Sequence, residues 1–358
     1  MSILRGGVFA DGTDELTDLR RLADEIAGRS FEARIGQRTL PDDLDRTAWR
    51  HLEEAGLTRL LSTHDSGAGP REAAVVLRAL ARHAVTVPVA ETDVLACWLA
   101  AVAGIDVPAT GPLTVAVGAT RRSGGRLVAE VAAVPYAADS TAVVLALRDG
   151  DRLMVARCDP AELSVSSGHN AGGEPRDTVT VDADNADFAA VDVGVELNRR
   201  GAWSRCVQII GALDAAVEFS VAHTRERVQF GRPLSSFQAV QHTLASMAGE
   251  VERARAATDL AVAAVEDFGF SSAQADYAVT VAKVTVGQVV PSVVTAAHQL
   301  HGAIGVTIEH RLWLATMRAR SWVQEFGDTA QHAQRLGRLA LSGCDPWDLI
   351  VGIDVDPE

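Results

Sequence analysis

The sequence predicts an α+β fold in three successive parts: helical, then β, then helical again. Three observations lead there. From Asp14 to Gly104, apolar residues recur at three- and four-residue steps. Between Leu113 and Val193 the pattern changes to short alternating or wholly apolar runs, and from Asn198 to Ser342 long helical patterns return. The boundaries predicted are 1–110, 111–194 and 195–358.

In the first part Leu16, Leu19, Leu22, Ala23, Ile26 and Ala27 make one apolar stripe. Val76, Leu77, Leu80, Ala81 and Ala84 make another. Trp49, Leu52 and Leu57 mark a further helix that ends near Gly56, with breaks at Pro41, Gly67 to Pro70, and Pro88. In the middle part Leu113–Val117, Arg126–Val131, Thr141–Leu147, Arg152–Ala156 and Thr178–Val181 read as strands. Gly124-Gly125, Asp149-Gly150 and Gly168 to Pro175 separate them, which predicts a small, mostly antiparallel β domain. The last part reads as helices over Gly201–Thr224, Phe237–Asp267, Ser272–Leu300, Arg311–Phe326 and Thr329–Leu341, grouped as a four-helix bundle.

Bulk properties exclude several classes. At 358 residues, 47% hydrophobic and 22% charged, the chain has the composition of an ordinary globular protein with a large core. A formal charge of −14 argues against a general nucleic-acid surface. The chain has no uninterrupted apolar run of spanning length, and Met1 to Gly7 has no apolar core of signal-peptide kind. The expectation is a cytoplasmic protein with no membrane span. Cys97, Cys158, Cys206 and Cys344 lack metal-type spacing and read as buried, reduced thiols. His223, His242, His298, His301, His310 and His332 form no zincin-type pair with a nearby carboxylate, so no metal site is expected. Lys283 is the only lysine.

The most informative stretch runs from Arg225 to Gln238, Arg-Glu-Arg-Val-Gln-Phe-Gly-Arg-Pro-Leu-Ser-Ser-Phe-Gln. A helix pattern ends at Phe230-Gly231, Arg232-Pro233 enforces a turn, and Phe237-Gln238 opens a second long helix. Arg227, Phe230, Phe237 and Gln238 put a planar cation, aromatic rings and an amide at one corner, a set suited to a phosphate and a flat heterocycle. The same residues also suit an ordinary helix-turn-helix with a surface arginine, and other parts of the chain must decide.

The segment resembles the Arg-x-x-Phe-Gly…Gln corner of the acyl-CoA dehydrogenases, flavoenzymes that desaturate acyl-CoA thioesters. In that family the corner grips the dinucleotide end of an FAD whose flavin ring sits in a neighbouring subunit. Ala297-His-Gln-Leu-His-Gly-Ala-Ile-Gly305 resembles the family's Gln-x-x-Gly-Gly-x-Gly turn, with Ala303 in place of the middle glycine. Trp49-Arg-His-Leu-Glu-Glu-Ala-Gly-Leu57 resembles its N-terminal Trp-x-x-Leu-x-Glu-x-Gly-Leu segment. The resemblance implies the acyl-CoA dehydrogenase fold and, for Arg227, Phe230, Phe237, Gln238, Gln299, His301, Gly302 and Ala303, contact with FAD.

The family's chemistry is missing from the places where it should stand. A carboxylate must take the α-proton of the thioester while a hydride leaves the β-carbon for the flavin. The loop matching the family's Glu-Gly-Thr-x-Gln reads Gly327-Asp-Thr-Ala-Gln331, so Gly327 occupies the position of the base. A minority of members carry the base at the start of the first C-terminal helix, where this chain has Gly201-Ala202. Glu325 and Asp328 flank Gly327; Glu325 should point away on a continuing helix, and Asp328 suits a cap for the last helix, with base action as the fallback. The Thr-Glu-Pro-x-x-Gly-Ser-Asp-like segment that holds the flavin ring is replaced by the shorter Leu113 to Gly125.

One chain with a dinucleotide corner but neither flavin cradle nor base resembles the non-catalytic subunit of actinobacterial heteromeric (α2β2) acyl-CoA dehydrogenases, many tied to steroid degradation. The resemblance implies a catalytic acyl-CoA dehydrogenase-like partner, an acyl-CoA substrate, with a bulky steroid-derived one as a candidate, and an electron-transfer flavoprotein as acceptor. A self-sufficient homomeric dehydrogenase with an unrecognised base and a non-catalytic scaffold are the alternatives.

Overall fold

The computed structural model describes residues 14–33, 40–63, 67–308 and 310–342. Cys344 and the Met1 to Gly7 segment lie outside them. The first part holds α1 (Asp14–Ala33), α2 (Arg46–Glu54) and α3 (Pro70–Arg82), followed by a π-helical stretch, Ala90–Cys97, that runs into α4 (Trp98–Ala103). Asp45 caps α2 by accepting from the Ala48 amide at 2.8 Å, which satisfies an orphan donor of the first turn. The Val76/Leu77/Leu80 stripe of α3 is buried and packs against α1 and a later long helix.

The middle part contains β1 (Leu113–Ala119), β2 (Arg121–Ser123), β3 (Arg126–Pro135), β4 (Ala142–Asp149), β5 (Arg152–Cys158), β6 (Ser164–Ser166), β7 (Arg176–Asp184) and β8 (Ala189–Val191). They form two four-stranded sheets, ordered β1-β4-β5-β8 and β2-β3-β7-β6. Every pairing between these strands is antiparallel except β1 with β4, which is parallel in the register Leu113↔Ala142. That one pair departs from a purely antiparallel middle part. Strand β4 explains how the layers stack. Val143, Leu145 and Leu147 face the core between the two sheets, whereas Ala142, Val144 and Ala146 join the main core with the helices. A strand buried on both faces reads as a continuous apolar run, as Ala142 to Leu147 does.

The last part is built from α5 (Gly194–Glu226), α6 (Gln238–Phe268), α7 (Ala273–His301), α8 (Arg311–Gln324) and α9 (Thr329–Ser342), with a small hairpin of β9 (Val228–Gln229) and β10 (Arg232–Pro233) between α5 and α6. Helix α5 is central and packs on α3, α6, α7 and α8. Gly194–Glu226 and Ala273–Val306 reach the length and mean hydropathy of a membrane span, 1.3 and 1.4. Both are core helices here, and α5 carries arginines at buried positions, Arg199 and Arg205.

Candidate functional site

At both positions where the resemblance places a base a side chain would meet a neighbour, although Gly327 also lines an open cleft. Gly327 has φ +95, a left-handed conformation that favours glycine, and a side chain there would meet His332 Nε2 at 2.7 Å. Gly201, buried on α5, lies against the ring of Phe326, so a Cβ at 201 would sit 2.3–2.4 Å from three of its carbons. Phe326 itself has φ +56, and its carbonyl accepts from Asn198 Nδ2 at 3.2 Å and from His332 Nε2 at 3.0 Å. Those two bonds hold an aromatic residue in a backbone region that costs on the order of 1–3 kcal/mol.

Glu325 does not continue α8. The helix ends at Gln324, and Glu325 turns inward with ψ 142 to lie between two guanidiniums. Arg205 Nε donates to it at 2.6 Å and Arg176 Nη2 at 2.8 Å. Burial alone would raise its pKa, but Arg176 and Arg205 outweigh burial and bring it to about 2. Arg205 also donates to Glu91 at 2.6 Å, and Arg176 to Glu174 at 3.3 Å. Glu174 in turn accepts from Trp322 Nε1 at 2.8 Å. This network of charges bridges the π-helical stretch, α5, β7 and α8. Lys283 donates to the carbonyls of Val323 and Glu325 at 2.9 and 2.8 Å and so satisfies the end of α8.

Asp328 is engaged as a helix cap. It accepts from the Gln331 amide at 2.8 Å while Gln331 Oε1 accepts from the Asp328 amide at 3.1 Å, the reciprocal pattern of a capping box. Neither carboxylate beside Gly327 is thus placed as a poised base. Glu325 is held ionised by two cations, and Asp328 is spent on α9. Where the resemblance places the flavin-holding segment, a single residue, Thr120, joins β1 to β2.

The α5–α6 corner is the opposite kind of place. Helix α5 stops at Glu226, two residues past the Thr224 end read from the sequence and short of the Phe-Gly pair, because the backbone pairs across the hairpin, with Arg232 opposite Gln229. Phe230 and Gly231 form its two-residue turn at φ +53 and +77, the positive-φ pair such a turn needs. Phe230 is 91% exposed, an aromatic ring both strained and solvated. It meets Phe237 edge-on at 6.1 Å, and the Arg232 guanidinium lies 4.1 Å over the Phe237 ring. Arg232, in sequence only a turn residue, joins the corner through this ring contact. Arg227 and Gln238 are exposed, with Gln238 in the first turn of α6, where orphan amides favour an anion.

The turn after α7 is a short 3-10 helix, Gly302–Val306, entered through Gly302 at φ +66. Gln299, Gly302 and Ala303 are exposed, whereas His301 points inward and is 6% exposed. Inside, its ring stacks on His223 of α5 with centroids 4.5 Å apart. The stack brings together two motifs some 70 residues apart in sequence. A cleft of about 740 Å³ also opens between the β4–β5 turn and the starts of α5, α7 and α9, lined in part by Arg148, Arg152, Asn198, Gln331, Arg335 and Arg338. Among the described residues no group of three or more His, Cys, Asp or Glu could hold a metal.

The fit to FAD is therefore divided. The outer corner and turn offer exposed donors, rings and close-approach backbone suited to a dinucleotide, while Phe326 occupies the space over Gly201.

Residues 197–338 match the family model for the acyl-CoA dehydrogenase C-terminal domain. The acyl-CoA dehydrogenase IpdE2 of Mycolicibacterium smegmatis is 29% identical over 302 residues, covering 82% of this chain and 87% of that protein. The chain superposes on the ChsE4–ChsE5 complex from Mycobacterium tuberculosis with a TM-score of 0.79 at 23% identity, covering 93% of this chain and 98% of the other. For a Tcur3481–Tcur3483 steroid ACAD variant the TM-score is 0.76 at 25% identity, over 92% and 98%. Residues 197–338 thus match the acyl-CoA dehydrogenase C-terminal domain, and the whole chain is similar to acyl-CoA dehydrogenases in its corner, its turn and its three-part fold.

Proposed function

We propose that this chain is the non-catalytic subunit of a heteromeric, FAD-dependent acyl-CoA dehydrogenase. One observation carries the reading: Phe326 covers Gly201 and Glu325 is bound between Arg205 and Arg176, so neither expected base position offers a poised carboxylate, while the dinucleotide corner stays exposed. Arg227, Phe230, Phe237 and Gln238, with Gln299, Gly302 and Ala303, would hold the dinucleotide of an FAD whose flavin is seated in the partner. When bound there, FAD accepts the hydride leaving the β-carbon of an acyl-CoA. This chain's part is to bind and orient; Arg227 supplies charge to a phosphate, and the exposed rings supply stacking faces. The likeness to the ChsE4–ChsE5 complex and to a steroid dehydrogenase pair supports a heteromer and a bulky, steroid-type acyl group. Electrons would pass on to an electron-transfer flavoprotein.

The test is expression alone and with a candidate catalytic acyl-CoA dehydrogenase-like chain, followed by flavin absorbance and acyl-CoA oxidation. Alone, the protein should carry little FAD and show no turnover; the complex should hold FAD and turn over. Stoichiometric FAD and activity in the lone protein would overturn the heteromeric reading. The open cleft beside Gly327 favours a second reading, a self-sufficient homomer, and that same result would establish it.

A further inference from the structure

Imidazoles gather where α5, α7 and α8 meet, between the two exposed motifs. His223 on α5 lies nearly parallel to His301, at 23° between planes, and His310 closes on His301 edge-on at 5.1 Å. His301 Nδ1 donates to the Ala297 carbonyl at 2.8 Å, since a carbonyl can only accept. The neutral ring therefore keeps a bare lone pair on Nε2, which is buried without a partner. His298, one turn earlier, donates from Nε2 to Thr316 Oγ1 at 2.9 Å, and its Nδ1 is likewise buried and unpartnered.

This stack is mechanically connected to both motifs. The backbone carbonyl of His223 receives the Arg227 amide at 2.8 Å and so anchors the corner. His301 is followed directly by Gly302, the entry to the turn. We infer that His301 is a positioning residue for the dinucleotide face: its neutral stack on His223 holds the Arg227 corner against the Gln299–Ala303 turn, and a proton on His301 separates them. The inference rests on the dinucleotide role proposed above.

The surroundings make the stack sensitive to protons. A proton on Nε2 would find no acceptor, and the charged neighbours are mostly cations. Helix α5 offers Arg227 and Glu226 beside His223, and α8 offers Arg311 beside His310 and Arg320 beside His298. Burial first, then the neighbouring histidines, lowers His301 to about 4, and burial lowers His223 and His310 as well. The sign follows from linkage. The unfolded chain takes up these protons near pH 6.5 and the folded chain does not, so the stack stabilises fully above that value. Its contribution is lost as pH falls from 6.5 toward 4.

The experiment follows FAD release from the complex by flavin fluorescence between pH 8 and pH 4, a range that reaches the lowered His301 value. Three proteins are compared: wild type, His301→Phe and Arg227→Ala. Phe keeps a flat ring and cannot take a proton. Wild-type release should accelerate roughly tenfold on acidification, as expected when a lowered imidazole is forced to protonate, while His301→Phe stays level. An equal acid response in His301→Phe, with Arg227→Ala releasing FAD fast at every pH, would remove the stack and leave the dinucleotide face standing. Normal retention in Arg227→Ala would instead sink the face itself. The chain alone provides a check that needs no variant: the His301 imidazole resonances should stay neutral well below pH 6.5, and titration near that value would overturn the inference.

Discussion

The interior beside Gly201 and the corner after α5 both use residues under backbone strain, and they use them in opposite ways. Phe326, at φ +56, is pinned by two hydrogen bonds and spends its ring covering Gly201. Phe230, at φ +53, has a ring that is 91% exposed and met by only one other aromatic ring. Strain that serves packing is explained by what it covers. Strain that leaves an aromatic ring in water points to something that will cover it later. The comparison separates what this chain does for its own stability from what it holds ready for another molecule.

If that division is right, damage to the interior should cost folding and damage to the corner should cost binding. The largest effect is expected from Glu325→Ala. It would leave Arg176 and Arg205, at 4% and 2% side-chain exposure, facing each other without their shared anion. Removing one partner of a buried ion pair costs about 3–5 kcal/mol, which thermal unfolding should register as a large drop in midpoint. The same carboxylate gives a pH signature. Its folded pKa of about 2 lies below the unfolded 4.5, so its stabilisation is complete above 4.5 and disappears as pH falls from there toward 2. A Glu325→Ala protein as stable as wild type at neutral pH would mean the network is incidental.

The corner should answer differently. Arg227→Ala should leave the unfolding midpoint of the isolated chain unchanged, because Arg227 is exposed. In the complex it should loosen FAD by about 1.5–3 kcal/mol, the range for charge-assisted bonds, or roughly tenfold to a hundredfold in affinity. Flavin content after gel filtration reads this directly, and full retention would take Arg227 out of the site.

The sequence made the three-part order legible because the apolar period changes cleanly near 111 and 195. Other features could not be read. The end of α5 at Glu226 depended on hairpin pairing between Val228 and Pro233, and two-residue strands leave no periodic trace. Glu325 was expected to point away on a continuing helix; the helix stops one residue earlier, which swings the carboxylate inward. One signal was available and unused. Glu91 and Asp93 interrupt an otherwise apolar run, as Arg205 does on α5, and ions in such runs call for buried partners. Asp93 finds its partners in the Leu61 and Ser62 amides, and Glu91 pairs with Arg205.

Gly327 tests whether the interior could be returned to service. Gly327→Glu should add no turnover to the complex, since proximity without a seated flavin and thioester is ineffective. It should also cost stability, on the order of 1–2 kcal/mol for an L-residue at left-handed φ, with the His332 contact in addition. A gain in acyl-CoA oxidation would show that the site is only one residue short of working.

The smallest effect is the most discriminating. Asp328→Ala removes the acceptor for the Gln331 amide and with it half of the capping box that starts α9. A lost cap costs about 1 kcal/mol, a shift of a few degrees at most in a chain of this length. Activity of the complex should stay within a few-fold of wild type, because a residue that only caps a helix touches neither substrate nor flavin. A true base behaves otherwise, and its removal lowers kcat by roughly a hundredfold to ten-thousandfold while FAD stays bound. Asp328→Asn sharpens the comparison. The amide still accepts from the Gln331 N–H and keeps the cap, but it cannot take a proton. If Asp328 is a cap, Asn should restore the unfolding midpoint and Ala should not, with neither affecting kcat. If kcat collapses in both variants, Asp328 is the base, and the interior beside Gly327 belongs with the chemistry after all.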